Sequence, residues 1–235
     1  MATVTGRDML DLARPHIGEE YKNVLVPKNN PDWHGPWDCA EFMSWIVFQK
    51  LGILYGCIND NANPALADAY TGSWRVDSDK KGTRVPIGQA AATVGGILLR
   101  FPPSVGKMGH IAICDGQGKT VEAMGRAFGV AQGKVAGRHW DTGVLIPGVQ
   151  YDTNVTPINL PLPPNVYFVG RRDMDINVVK RIQQALRDAG FPPGPIDGIY
   201  GPMTAAAAAA FQRTEGIIAD GEVGPQTAQK LGISL

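Results

Sequence analysis

Asp197-Gly198-Ile199-Tyr200-Gly201-Pro202-Met203-Thr204-Ala205 returns 23 positions later as Asp220-Gly221-Glu222-Val223-Gly224-Pro225-Gln226-Thr227-Ala228, with six of nine letters identical. Each copy reads as a turn that feeds a helix. Asp-Gly bends the chain, the second glycine is expected at positive φ, and proline takes the first helical position, where its missing N–H costs nothing. The first copy launches a helix over 203–213. Ahead of it, 176–189 reads as an amphipathic helix with Val179, Ile182, Leu186 and Ala189 on one face. With a short helix after the second copy, residues 173–235 are expected to form a small all-α three-helix unit.

The rest of the 235 residues is long enough for a second, larger domain. Lys+Arg and Asp+Glu both number 22, so the net charge is zero. Such a chain offers no field for polyanions, which argues against nucleic acid as a partner. No apolar run approaches the roughly 18 residues of a membrane span. The opening residues also lack the apolar core of a secretory signal. Cys39, Cys57 and Cys114 do not make a disulfide framework, and the usual zinc spacings are missing, so neither metal nor cofactor is expected.

Residues 151–172 form a seam. Pro157, Pro161, Pro163 and Pro164 interrupt regular structure, and 153–172 is read as a Pro-rich linker, with 166–169 able to pack as an edge strand. Upstream, 1–152 shows helical patterns first (7–17 and 38–51) and strand patterns later (96–101, 110–114, 120–124 and 144–146). Helices followed by an antiparallel sheet make an α+β domain. The middle, 59–93, gives only weak helical hints.

Trp37-Asp38-Cys39-Ala40-Glu41-Phe42 marks a helix start, with Asp38 as N-cap and Glu41 at capping-box spacing. Cys39 would then be the first helical residue. A thiol there faces unpaired amides and the positive end of the helix dipole, both of which favour thiolate. Phe42, Met43 and Ile46 would anchor the helix through a buried stripe. Further on, Gly109-His110-Ile111-Ala112-Ile113-Cys114 alternates, so His110 shares a face with two small residues that leave room for a partner. A tight turn at 115–118 leads to Thr120, Glu122 and Met124. A hairpin centred between Gly116 and Gln117 would set His110 opposite Ala123 and Glu122 opposite Ile111. Glu122 then reaches the imidazole only if the strands are staggered. In that position a carboxylate would orient the ring and stabilise imidazolium. His139, beside Trp140 and Asp141, is the alternative third residue. His34 is expected at the rim of the groove as a substrate contact, His16 at the surface of the first helix, and Cys57 and Cys114 in structural roles.

Asp-Cys at a helix start, then Gly-His-Ile-Ala-Ile-x-Asp-Gly-x-Gly-Lys-x-Val-Glu-Ala about 70 residues later, resembles the NlpC/P60 superfamily of papain-like cysteine peptidases. The helix–turn–helix order with its two DGxxG turns and Phe211-Gln212 resembles the peptidoglycan-binding domain of cell-wall hydrolases. The first resemblance implies a papain-like fold for 1–152, Cys39 as nucleophile, His110 as general base and Glu122 as the variable third residue. It also implies that Asp38 is the acidic neighbour and that Tyr21 assists the site. The Ser-Gly that usually follows the cysteine is Ala40-Glu41 here, and the segment between Tyr21 and Cys39 is longer than usual.

Together these readings imply a monomeric peptidoglycan hydrolase, without cofactor, that cuts a wall-peptide amide through a thioester. It would act at the bacterial wall, delivered by lysis, by injection or behind a removed leader. Two other readings fit the same residues. One is a wall-binding protein whose catalytic domain is inactive; the other is a thioester acyltransferase or amidase acting on another substrate.

Overall fold

Thr5 and Asp8 cap each other's backbone amides and start α1, Gly6–Ala13. The computed structural model describes residues 3–59, 61–81, 83–102, 109–160 and 165–235. The first helix is shorter than the expected 7–17. Pro15 has no N–H to continue the ladder, and Arg14–His16 tighten into a 3₁₀ turn. α2, Cys39–Leu51, begins at the Asp38 N-cap and stops at Gly52 in the left-handed region, φ 66°. Its residues Cys39–Val47 are buried on every side, beyond the three-residue stripe expected.

The middle of the chain is more regular than its composition suggests. It holds α3 (Thr71–Lys80), β1 (Thr83–Val85) and α4 (Ile87–Ala92). Five further strands follow: β2 (Val94–Arg100), β3 (His110–Asp115), β4 (Lys119–Gly125), β5 (Gly129–Lys134) and β6 (Thr142–Leu145). They form one antiparallel sheet in the order β1-β6-β2-β3-β4-β5. β5, with glycine at two of six positions, carried too weak an alternation to be expected from sequence. Ile97, Leu99, Ile111, Ile113, Val121 and Ala123 join the core that contains α1 and α2. On the other face, Leu98, Ala112 and Cys114 pack with Ala90, Ala91 and Trp140. This is the α+β architecture the pattern implied, with α4 added on the second face.

The β3–β4 register differs by one residue from the expected one. Ile113 pairs with Val121 and Cys114 with Thr120. The cause is a three-residue turn in which Gly116 and Gly118 both take φ 82°, with Asp115 accepting the amides of Gln117 and Lys119. Because side chains alternate, that single step moves Glu122 onto the face that carries Ala112 and Cys114. His110 then lies one diagonal step from Glu122, within reach of a long side chain.

The chain divides into two compact units, Met1–Leu162 and Pro163–Leu235. Much of the segment read as a linker belongs to one or the other. Ile158 donates its amide to the Gly88 carbonyl at 3.0 Å and, with Leu160, covers the α4 face. Tyr167 and Val223 exchange two backbone bonds of 2.9 Å within the second unit. Pro161, Pro163 and Pro164 lie outside the described residues.

The second unit is the expected three helices, α5 (Ile176–Asp188), α6 (Pro202–Thr214) and α7 (Pro225–Leu231). Its repeat works differently from the reading above. The first glycine of each turn takes positive φ (Gly198 82°, Gly221 72°), whereas Gly201 and Gly224 are extended N-caps. A buried glutamine on the preceding helix locks each turn. Gln183 accepts the Gly198 amide and donates to Asp197, Ile199 and Thr204; Gln212 treats Gly221, Asp220, Glu222 and Thr227 alike. The threonine of GPxT is thus a lock partner, which is why it recurs. Among the described residues, no helix is long and apolar enough to cross a membrane.

Candidate functional site

Asp38 accepts the amides of Ala40 (2.9 Å) and Glu41 (2.8 Å), which fixes the first turn of α2 and the position of Cys39. Glu41 does not complete a capping box. Its carboxylate turns inward, accepts the Val26 and Ala69 amides and pairs with the fully buried Lys28. Cys39 itself is 2% exposed. Burial pushes its thiol well above the ordinary range and the Asp38 charge adds to that, while Arg100 opposes. The resting sulfur is therefore a neutral thiol. Desolvation outweighs the helix-start effect that favours thiolate. Asp38 is raised too, to about 6, first by burial and against the two amides it accepts.

The second cluster stands on β3, β4 and the segment after β5. His110 Nε2 is bonded to Glu122 Oε2. Arg138 clamps the same carboxylate with both nitrogens, at 2.7 Å to Oε1 and 2.8 Å to Oε2. Thr120 donates its hydroxyl to Oε1. Burial works against the Glu122 charge, yet Arg138 and His110 hold the carboxyl well below its usual range. For His110 the balance runs the other way. Burial lowers it, Glu122 opposes, and Arg138 and Arg100 lower it further. Ionised Glu122 beside neutral His110 puts the ring proton on Nε2 and leaves the Nδ1 lone pair as the base.

Two residues that support this pair, Arg138 and Gly133, were invisible in the sequence. Arg138 lies in a loop without periodicity, and its guanidinium also covers Trp140 at 4.6 Å. Gly133 pairs with Thr120 across β4 and β5, and a Cβ there would come within 2.2 Å of Glu122 Oε1. The glycine that weakened the strand signal makes room for the carboxylate. The space beside Ala112 that the alternation implied is occupied by Trp140, whose ring lies 5.8 Å from that of His110.

His110 and Glu122 are thus brought together. Among the described residues no hydrogen bond joins Cys39 to His110. The two clusters are linked electrostatically, because the Cys39 thiol feels both Arg100 and Glu122, and Arg100 is the cross-strand partner of His110. Tyr21 belongs to the Cys39 side. Burial raises its hydroxyl, with Cys39 and then Asp38 adding. Tyr21 also bridges Trp37. His139 pairs with Asp141 at 3.4 Å. His34 is largely exposed and bonded to Glu19 at 3.1 Å. His16, expected at the surface, is buried among Trp37, Phe42 and Trp45, because the 3₁₀ turn redirects it inward.

Residues 177–231 match the family model described as "Putative peptidoglycan binding domain", which bears out the reading of the DGxxG repeat. The chain is also 32% identical over 122 residues to the N-acetylmuramoyl-L-alanine amidase CwlL of Bacillus licheniformis, a match covering 48% of this chain. It spans 34%, about a third, of that relative's length. Among solved structures, the NlpC/p60 domain of the peptidoglycan hydrolase SagA is 24% identical with a TM-score of 0.39, covering 61% of this chain and 100% of that one. The P60 domain of the M. avium subspecies paratuberculosis antigen MAP1204 is 18% identical with a TM-score of 0.41, covering 62% and 96%. At those scores neither likeness carries an argument here.

Proposed function

We propose that the chain is a peptidoglycan hydrolase of the NlpC/P60 kind, with Cys39 as nucleophile, His110 as general base and Glu122 as the group that orients His110. The observation that carries the reading is the buried, four-fold-bonded Glu122 carboxylate holding His110 by Nε2. A bland core histidine does not need an ionised partner built at that cost. The peptidoglycan-binding match over 177–231 supports a wall polymer as substrate. His110 Nδ1 takes the Cys39 proton as sulfur attacks the amide carbon, then passes it to the leaving amine. Water hydrolyses the thioester, giving the acid and restoring the thiol. Cys39 and His110 start as a neutral pair, so their bond need form only when substrate has closed the groove. The Cys39 amide, first of the helix, is the candidate oxyanion donor. Asp38 and Tyr21 stay beside the nucleophile, and His34 at the rim. Mass spectrometry of fragments released from purified peptidoglycan tests the reading and names the bond. Release of nothing but intact sacculi would sink it.

The orienting role has a pH signature. Activity needs neutral His110, so the acid limb of kcat/KM follows the imidazole. Glu122→Gln removes the charge that favours imidazolium; the limb should move to lower pH while the rate falls about 10- to 100-fold. Arg138→Met does the reverse, because Arg138 now holds His110 down, and the limb should move to higher pH. Limbs that stay put in both variants would mean that the ring does not titrate in the rate.

The second unit is proposed to hold the enzyme on its insoluble substrate, raising local concentration without supplying chemistry. Residues 163–235, which keep the Tyr167–Val223 pairing, should sediment with sacculi. Residues 1–162 should cut soluble wall peptides yet act poorly on sacculi. Equal binding of sacculi by 1–162 and the full chain would remove the anchoring role.

A further inference from the structure

Beside the Cys39 helix, three side chains from two stretches of chain converge. His16 Nδ1 lies 2.9 Å from Glu19 Oε2, and His34 Nδ1 lies 3.1 Å from Glu19 Oε1. The donor atoms of His16, Glu19 and His34 all fall within 4.8 Å of one another. We propose that His16, Glu19 and His34 form a binding site for one divalent transition-metal cation of the zinc class.

Three features of the fold carry this. First, the donor set is two imidazoles and a carboxylate, the chemistry that borderline cations prefer over calcium or magnesium, which take oxygen. Neighbouring ligands on a tetrahedral ion with bonds near 2.1 Å stand roughly 3.4 Å apart. The two observed approaches, each to a different oxygen of Glu19, are a few tenths of an ångström shorter, and a shared ion is reached when side-chain rotation brings both imidazole nitrogens and one carboxylate oxygen around it.

Second, the backbone presets the ligands. Gly18 donates to the Val130 carbonyl and Val130 donates to Glu19, both at 2.8 Å, which pins the Glu19 segment to β5. Gly129 allows that approach, since a Cβ there would stand 2.2 Å from the Glu19 carbonyl oxygen. Trp37 and Glu20 are joined at 2.9 Å, as are Lys22 and Trp37, so the loop bearing His34 is laid against the same segment. His16 is fixed by its aromatic cage.

Third, a supporting shell is present. Trp37 Nε1–H donates to Glu19 Oε2, the kind of outer bond that orients a ligating carboxylate. The site is also reachable, because the His34 side chain is 74% exposed while that of His16 is 5% exposed. Water or another small ligand would complete the coordination. A bound cation would clip the 31–37 loop to the turn after α1, immediately before the Asp38–Cys39 helix start. Such spacing, His-x2-Glu followed by a histidine fifteen residues on, matches none of the usual zinc patterns.

The test uses the untagged full chain, stripped with chelator and titrated with ZnCl2 by calorimetry and with CoCl2 by visible absorption. One equivalent should bind, with a cobalt spectrum free of thiolate charge-transfer bands. His34→Ala, at the surface and safe for folding, should weaken zinc binding about 100-fold or more, and Glu19→Gln likewise. Circular dichroism of both variants verifies the fold. Binding of no zinc below millimolar concentration, a thiolate band, or an unchanged affinity in His34→Ala would each overturn the site. None of these readouts depends on hydrolytic activity, so the proposed function and the metal site stand or fall separately.

Discussion

Cys39→Ala should lower the release of wall peptides by on the order of 10,000-fold or more, while the melting temperature stays close to wild type. The chemical step has no substitute nucleophile in place. Burial raises Cys57 to about 11, and Cys114 is fully buried and raised by burial, with Asp115 and Glu122 adding. Cys57→Ala and Cys114→Ala are therefore expected to retain turnover. The stability expectation follows from what the thiol does in the fold. Asp38 bonds Ala40 and Glu41, not the sulfur, so the helix start survives removal of one buried atom. A full-rate Cys39→Ala protein would end the cysteine reading outright. A dead protein that has also unfolded would not support it, so melting curves accompany the assay. The same neutral-thiol resting state makes a second readout available. Iodoacetamide should label Cys39 slowly near neutral pH, since the thiolate fraction is small.

Lys28→Met is expected to be the most destabilising single change, at about 3–5 kcal/mol. Lys28 and Glu41 are both wholly buried. Lys28 also donates to the carbonyls of Val26 and Ala67, so the pair ties two loops to α2. Burial already pushes Glu41 up to about 7, against Lys28 and the Ala69 amide. Without the ammonium it rises further. The sign of the pH effect follows. The folded carboxyl keeps its proton to higher pH than the unfolded one, whose value is about 4.3. The variant is then most stable in acid and loses stability as pH rises above that value, at up to about 1.4 kcal/mol per pH unit. The double change Lys28→Met/Glu41→Gln leaves a neutral pair that still accepts a backbone amide, and it should recover part of the loss. Denaturant melts of the three variants between pH 5 and 8 measure all of this. A single variant within about 1 kcal/mol of wild type, flat in pH, would show that solvent reaches the site.

The contrast between the two halves of the chain explains what was legible. In 173–235 the decisive interactions are local. Asp197 and Gly198 set a turn, Pro202 starts a helix, and the apolar face of α5 is written at helical spacing. Even there the lock was missed, because Gln183 and Gln212 reach their turns from 14 and 8 residues away. A buried glutamine looks like any exposed one in a helical sequence. In the first unit the helix start at Asp38–Cys39 was readable for the same local reason, through N-cap chemistry.

His110 and Glu122 were each visible, but their meeting was not. It depended on one extra residue in the Gly116–Gly118 turn, which shifts the pairing and flips Glu122 to the face of Ala112. Arg138, Gly133 and Lys28 gave no pattern at all, since each acts on a partner across the fold. His16 was misjudged because Pro15 ends the helix that would have pointed it outward.

The sequence by itself determined the two-unit organisation, the α+β and three-helix classes, and the placing of Cys39 at a helix start and of His110 on a strand. These rest on chain periodicity, turn chemistry and caps, which act over a few residues. Tertiary structure alone decided the ionisation of the site. Whether a thiol at a helix start is anionic depends on how much water the rest of the fold excludes. Whether a carboxylate serves its histidine depends on strand register and on a guanidinium brought in from 16 residues away. Desolvation and charge pairing are properties of the packed interior, and no local spacing encodes them.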